Sequence, residues 1–284
     1  MTITVNTNIP SLTAQKSLNG ATDKMNTAME RMSTGMRINS SKDDAAGMAV
    51  STKLNYKVSS LDVAQDNGQM GASMLDTAEG VLSVISDNLT RIRDLTEQAA
   101  NGTYGSDAMT AIKTEVQARM DEITRLANSS EFNGKVLFNP DADSGVSENI
   151  KLQVGITSND TSVIELNSDL FAKASASALL GTADVSSKYT SDANARAFLT
   201  DIDNALANIT SRTTLLGGYQ QRIISAIDAA GVMATNLTSA SSLIQDADIA
   251  TESSNYIKEQ ILQQTSASLL ATANQSPSIA LNLI

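Results

Sequence analysis

Two aspartate clusters come nearest to a reactive or metal-binding constellation in this sequence: Asp43-Asp44, and the run Asp141-Ala142-Asp143-Ser144-Gly145. An adjacent carboxylate pair can share acid and base roles or hold a cation. It is also what a helix start uses, since carboxylates favour the positive end of a helix and cap its free N–H groups. For Asp43-Asp44 the capping role is the preferred reading. The second run opens like a calcium-binding loop, but Val146 stands at the sixth place, where glycine is needed, and Leu152 at the twelfth, where glutamate closes the site. There is no His and no Cys in the chain. That removes the commonest general base, thiolate nucleophiles, disulfides and the usual zinc ligands. No enzyme, cofactor or metal centre is expected.

Composition narrows the partners. The formal net charge is −11, the basic residues are dispersed, and nucleic-acid binding, which needs clustered Lys and Arg, is not expected. Aromatics are 3% and Trp is absent, so the apolar content is the Ala, Leu, Ile, Val and Met of long packed helices. The first residues lack the basic and apolar regions of a cleavable signal peptide. No uninterrupted apolar run approaches membrane-spanning length, so no membrane insertion is expected.

The elements that must position any functional residue are mostly helical. Leu75, Ala78, Leu82, Ile85, Leu89, Ile92, Thr96 and Ala99 alternate three and four apart within a pattern running from about Asp44 to Ala100. Asn101-Gly102 and Tyr104-Gly105 stop it, and Met109, Ile112, Val116, Met120, Ile123 and Leu126 mark a return helix. A longer seam runs from Phe198 to Ile244 at the same spacing, through Met233 and interrupted only by Arg212. Between them, residues 149–154 and 163–166 alternate as a β-hairpin, and Lys173–Lys188 reads as a connection without clear structure. Pro10, Pro140 and Pro277 lie at the edges of the helical patterns. The fold class is therefore mainly α: a long antiparallel, coiled-coil helical rod built from both chain halves, with a small central β-hairpin.

The two ends are complementary. From Leu18 onward, Ala21, Met25, Ala28, Met29, Met32 and Met36 occupy roughly a 100° arc of a helix, and Ile261, Leu262, Leu269 and Ala273 about a 120° arc. Residues 1–42 carry a net charge of +3 and residues 245–284 a net charge of −3. Each one-sided stripe must bury itself, and the other terminal helix is the economical partner, with neighbouring molecules covering what remains. The methionines supply adaptable packing between protomers. Self-assembly is expected to rest on Leu18, Met25, Met29, Met32 and Met36 and on Ile261, Leu262, Leu269 and Leu270.

A family resemblance now enters. Asn39-Ser40-Ser41-Lys42-Asp43-Asp44-Ala45-Ala46-Gly47 closely resembles the N-S-A-K-D-D-A-A-G signature of bacterial flagellins, and the preceding Glu30-Arg31-Met32-Ser33-Thr34-Gly35-Met36-Arg37-Ile38 is similar to that family's E-R-L-S-S-G-x-R-I. Phe132-Asn133-Gly134, Leu152-Gln153-Val154-Gly155, Gln260-Ile261-Leu262-Gln263-Gln264 and Ala273-Asn274-Gln275 match in family order. The resemblance implies an inner terminal coiled-coil domain at residues 1–42 and 245–284. It implies an outer helical domain at 43–244, with a β-hairpin region at about 132–170 and a short connection at about 171–190 where many flagellins carry large insertions. It also implies a structural subunit that self-assembles into the extracellular flagellar filament for motility, exported without a cleavable signal peptide. Export chaperone, cap and hook-junction proteins are implied partners, and a host Toll-like receptor is another, through Arg91, Leu95, Gln98 and Glu115. On the residues alone, Arg91 and its neighbours read as an exposed charged face. Ser241, Leu243, Gln245 and Ile249 replace charged and tyrosine positions of the family's second hinge, so a more apolar hinge is expected. The rival readings are a hook–filament junction protein, separable by testing for self-polymerisation, and a helical signalling coiled coil, disfavoured by the β-hairpin.

Overall fold

The computed structural model describes residues 7–142 and 145–281. The outermost residues of both terminal ranges, and Asp143 and Ser144 of the acidic loop, lie outside the described residues. Helix α1 spans Ile9–Thr34, α2 Ala45–Ala99, α3 Ser106–Ser129, α4 Ala176–Leu180, α5 Asp192–Gln245 and α6 Ile249–Leu281. Strands β1 (Glu131–Phe132) and β2 (Lys135–Val136) pair antiparallel, as do β3 (Ile150–Gln153) and β4 (Val163–Leu166). The fold is mainly α. The chain forms two compact units, residues 1–58 with 235–284, and residues 59–234. Both divisions fall inside the unbroken helices α2 and α5, whereas the turn-forming sequences lie between helices. Punctuation residues mark where helices end, and where packing changes is a separate matter.

Unit 59–234 has a dry core. Leu75, Ala78, Leu82, Ile85, Leu89, Ile92 and Thr96 of α2 show no exposed surface, and Val116, Met120 and Ile123 of α3 meet them almost as fully buried. Phe198, Ile202, Ala205, Ile209, Leu216 and Ile223 of α5 complete the core. Each fully buried Leu, Ile or Phe contributes roughly 1.5–3 kcal/mol, which is what holds the three helices together. The α5 seam is less continuous than its spacing implies, because Met233 is 48% exposed. Arg212, the polar intruder, sits where the core meets the segment before α4. Its Nη1 donates to Ala172 O at 2.6 Å, and burial pushes its pKa down, partly opposed by Asp169. Among the described residues, α5 is the one helix whose length and composition suffice for a membrane crossing. Exposed Ile224, Val232 and Met233 belong to that helix.

The hairpin β3–β4 keeps strict register, with Ile150 opposite Leu166 and Gln153 opposite Val163. Leu152 lies so close to α2 that a Cβ on Gly71 would sit 2.5 Å from its Cδ1, so a larger residue there would have to displace the Leu152 side chain. A second, tiny hairpin was not anticipated. Asn133 (φ 49°) and Gly134 (φ 78°) form the two-residue loop between β1 and β2, where positive φ at both places suits the strand twist. The connection of unclear structure contains α4 and is packed: Phe171, Ala174, Ala176, Leu180, Val185 and Tyr189 are all buried. Its apolar residues have no helical or strand period because the segment turns repeatedly as it covers the core.

The prolines divide. Pro10 takes a first-turn position of α1, where its missing N–H is not needed, and Pro140 lies in a turn. Pro277, expected at a helix edge, is inside α6.

Tyr189 is 5% exposed and packs edge-on against Phe198. Thr96 Oγ1 donates to Ile92 O and shares a hydrogen bond with the Tyr189 phenol. Burial raises the Tyr189 pKa to about 12, against a smaller lowering by Thr96. Below the unfolded value of about 10 both states keep the proton, and this contribution is complete. Above it the unfolded chain releases a proton that the folded chain retains, so stability falls as pH rises towards about 12. Tyr189→Phe is expected to make the loss of stability across this range shallower, read from urea midpoints at successive alkaline pH values. Identical pH profiles for the two proteins would rule the contribution out.

Candidate functional site

The unit of residues 1–58 and 235–284 is built on α1 running antiparallel to α6. Asn8 caps α1, its Oδ1 accepting from Ser11 N, and Gly35 ends the helix in the left-handed region at φ 71°. Helix α6 starts at Asp248, whose carboxylate accepts from Thr251 Oγ1, Thr251 N and Ala250 N. The Thr251 hydroxyl leads in holding its pKa below the usual range, followed by those two N–H groups.

The surface between these helices is not the one their apolar arcs imply. On α1, Ala21 and Ala28 are buried seven residues apart, with Leu18, Met25 and Met32 half-buried between and around them. On α6 the buried positions are Glu252, Glu259 and Ser266, again seven apart, with Tyr256, Gln263 and Leu270 half-buried. Small side chains on one helix admit polar ones on the other. Arg31 Nη1 meets Glu252 Oε1 at 3.1 Å, with side chains 30% and 11% exposed, and Gln263 Nε2 donates to Thr22 Oγ1 at 3.0 Å. Glu259 has no ion-pair partner among the described residues. Ile261 (57%), Leu262 (43%) and Leu269 (58%), expected to bury on α1, are instead exposed, together with Ile257 (52%). Met29 is exposed too, as are Ile9 and Leu12. Of the nine residues named for self-assembly, Leu18, Met25, Met32 and Leu270 are half-buried in the pair, and four lie open on the surface. The ninth, Met36, lies beyond α1 in the hinge.

That hinge is polar, contrary to the apolar packing expected from its substitutions. Leu243 is 83% exposed and Ile249 48%. Arg37 Nη2 donates to Ile244 O at 2.5 Å and Leu243 O at 3.4 Å, while Arg37 N donates to Gln245 O at 2.6 Å. A guanidinium therefore serves the free carbonyls, and the negative end, of the 54-residue α5. Met36 Sδ accepts from Gln245 Nε2, Ala247 N donates to Gly35 O, and Ser51 bonds both Ser241 and Gln245. Of the aspartate pair, Asp44 takes the capping role, while Asp43 holds the preceding loop. Asp44 Oδ1 accepts from Ala46 N and Gly47 N at the start of α2. Asp43 Oδ2 accepts from Ser40 N, Ser40 Oγ and Asn39 N, and those bonds, Ser40 N–H first, lower its pKa. Among the described residues no acidic cluster could hold a metal ion, and Asp141 is paired with Lys173 at 2.6 Å.

In unit 59–234, the second expected site is partly assembled. Arg91 Nε meets Glu115 Oε1 at 3.3 Å, both side chains being nearly half exposed, and Gln98 is exposed on the same helix. Leu95 is 4% exposed and belongs to the core beneath them. Two residues went unnoticed in the sequence. Arg119 contacts the same Glu115 oxygen and reaches Asn88 Oδ1 at 3.2 Å. The four-residue spacing of Glu115 and Arg119 on α3 was the available signal.

Comparison with known proteins converges on one family. The descriptions "Bacterial flagellin N-terminal helical region" and "Bacterial flagellin C-terminal helical region" match residues 5–142 and 199–284. The flagellin of Bacillus subtilis strain 168 is 35% identical over 99% of both chains. The flagellar filament 30.7 kDa core protein of Treponema maltophilum is 33% identical, again over 99% of both. Among solved structures, a putative flagellar hook-associated protein from Vibrio parahaemolyticus aligns with a TM-score of 0.57 at 19% identity, covering 71% of this chain and 99% of that one, a likeness of fold.

Arg37→Ala removes the charged donor from the α5 carbonyls and is expected to weaken the last turn by about 1 kcal/mol. Amide hydrogen exchange at residues 243–247 should then run about fivefold faster while residues 59–234 keep their protection. Unchanged exchange at 243–247 would show that Arg37 does not hold that turn.

Proposed function

This chain belongs to the bacterial flagellin family and is a structural subunit of the extracellular flagellar filament, and we propose that its paired helices α1 and α6 are the polymerisation site. The observation that carries this reading is the reversed burial of α6: its acids and Ser266 face the intramolecular seam, while Ile257, Ile261, Leu262 and Leu269 remain about half exposed. Finishing the burial of each is worth roughly 1 kcal/mol, about half of a full side-chain burial. One such edge supplies ~4 kcal/mol, no more than the low end of the ~4–15 kcal/mol lost in fixing two molecules together. Several neighbours must therefore engage each subunit, with Ile9, Leu12 and Met29 of α1 contributing. Contacts between unlike surfaces that do not close on themselves extend into an open helical polymer. The opposite charges of the two ends favour unlike over like pairing. In this reading residues 1–42 and 245–284 are the assembly domain and 43–244 the outer domain. The chain is exported unfolded or partly folded, and its ends order as the lattice forms.

Exposed Ile224, Val232 and Met233 of α5 are assigned to neighbouring subunits and not to lipid. Export chaperone, cap and hook-junction proteins are the further partners of this reading. A host Toll-like receptor would meet Arg91, Gln98 and Glu115 at the surface, with Leu95 supporting them from the core.

Removing residues 1–20 or 265–284 is expected to abolish filaments in electron micrographs while the 43–244 region stays folded by circular dichroism. Normal filaments from either truncated chain would refute the polymerisation site. Arg91→Ala is expected to reduce receptor activation in a reporter-cell assay about tenfold, as loss of a central charged contact does. Full activation by that variant would remove Arg91 from the receptor surface.

A further inference from the structure

Helix α6 continues through position 277, where a proline stands. Proline carries no N–H, so Ala273 O, four residues earlier, lacks the donor that its own helix would supply. The structure brings another donor there: Asn8 Nδ2 donates to Ala273 O at 2.8 Å. The opposite end of the same amide serves the other helix, Asn8 Oδ1 accepting from Ser11 N at 3.1 Å as the cap of α1. Ser11 Oγ then donates to Asn274 Oδ1 at 2.7 Å. One side chain thus satisfies a free donor at the start of α1 and a carbonyl left open in α6.

The buried positions of the seam do little by themselves to fix its axial register. Glu252, Glu259 and Ser266 recur every seven residues on α6, and Ala21 and Ala28 do so on α1. A slide of one heptad puts Glu259 where Glu252 was, so Arg31 finds a carboxylate either way. Apolar surface arbitrates weakly, because Ile257, Ile261, Leu262 and Leu269 of α6 are exposed and Tyr256 and Leu270 are only half-buried. An unpartnered helical carbonyl is different, since Pro277 is the only proline in α6 and opens one such place. Every other residue of α6 keeps an N–H for the carbonyl four residues before it. The hinge ties one end of the pair and the Gln263–Thr22 bond its middle, while at the far end the Asn8 contact, with Ser11–Asn274 beside it, is matched to a single position. A lone buried asparagine sets register in coiled coils by the same logic, with a polar group satisfied in one alignment only.

We propose that Asn8 is a register-determining residue of the terminal helix pair, its amide locking the far end of α1 against the carbonyl that Pro277 leaves open in α6. This rests on the reading of α1 and α6 as the polymerisation site, since register decides which apolar residues neighbouring subunits meet.

The test compares four full-length chains: the natural sequence, Asn8→Asp, Pro277→Ala and the double substitution. Aspartate keeps the acceptor that caps α1 but has no donor for Ala273 O. Critical concentration for filament growth, measured by sedimentation, is expected to rise about fivefold for Asn8→Asp, the effect of one lost hydrogen bond. In the Pro277→Ala background the helix serves Ala273 O itself, so the same substitution should cost less than about twofold. An equal penalty in both backgrounds, or none in the natural one, overturns the lock. If Asn8→Asp forms no filaments at all, the double substitution must restore them, and a double variant that is equally inactive overturns it. Failure of the natural chain to form filaments refutes the polymerisation reading and the lock with it.

Discussion

Where apolar surface goes is the constraint on which everything else in this molecule depends. With no tryptophan and few aromatics, stability has to come from rows of Ala, Leu, Ile and Met that meet along helices. In residues 59–234 those rows close on one another, and Leu82, Ile85, Leu89 and Phe198 lose all contact with water. In the terminal unit they do not close. Ala21 and Ala28 leave room on α1, α6 fills it with Glu252, Glu259 and Ser266, and the large apolar residues of α6 face out. One unit has a closed core of its own, whereas the other buries polar residues and leaves its larger apolar ones outside.

Polar contacts take over wherever the rows fail to specify a position. Arg37 and Gln245 hold the hinge through carbonyls and amides, while Leu243 beside them lies open. Arg31 and Thr22 answer Glu252 and Gln263 along the pair, and Asn8 ends it. Such contacts contribute modestly one by one, about 0.5–1.5 kcal/mol net. Their value is directional: each is satisfied in few geometries, which hydrophobic burial alone does not achieve.

Much of this was legible in the sequence. The α2, α3 and α5 seams were, because a helix buried on one side writes its period into the chain, and so was the hairpin between residues 149 and 166. The packed segment from Phe171 to Tyr189 was not, since an irregular path leaves no period to read. The Asn133-Gly134 turn was visible in principle, being a standard two-residue hairpin loop with very short strands around it. The terminal helices were read correctly as amphipathic but with the wrong face inward on α6. Periodicity locates an apolar arc without saying what covers it. On the proposed reading the partner that covers it is another molecule, which the period of the single chain does not record. Leu95 shows the converse: a residue named with surface neighbours is 4% exposed and belongs to the core.

If α6 is the polymerisation site we propose, its half-covered edge has a kinetic consequence. Two subunits meeting in solution can complete only a fraction of it, and the first encounter is uphill. At the end of an existing filament several partners are already in place, and arrival there is downhill. Spontaneous nucleation is then slow and growth at a tip fast, which keeps the monomer from polymerising before it reaches the place where a filament has begun.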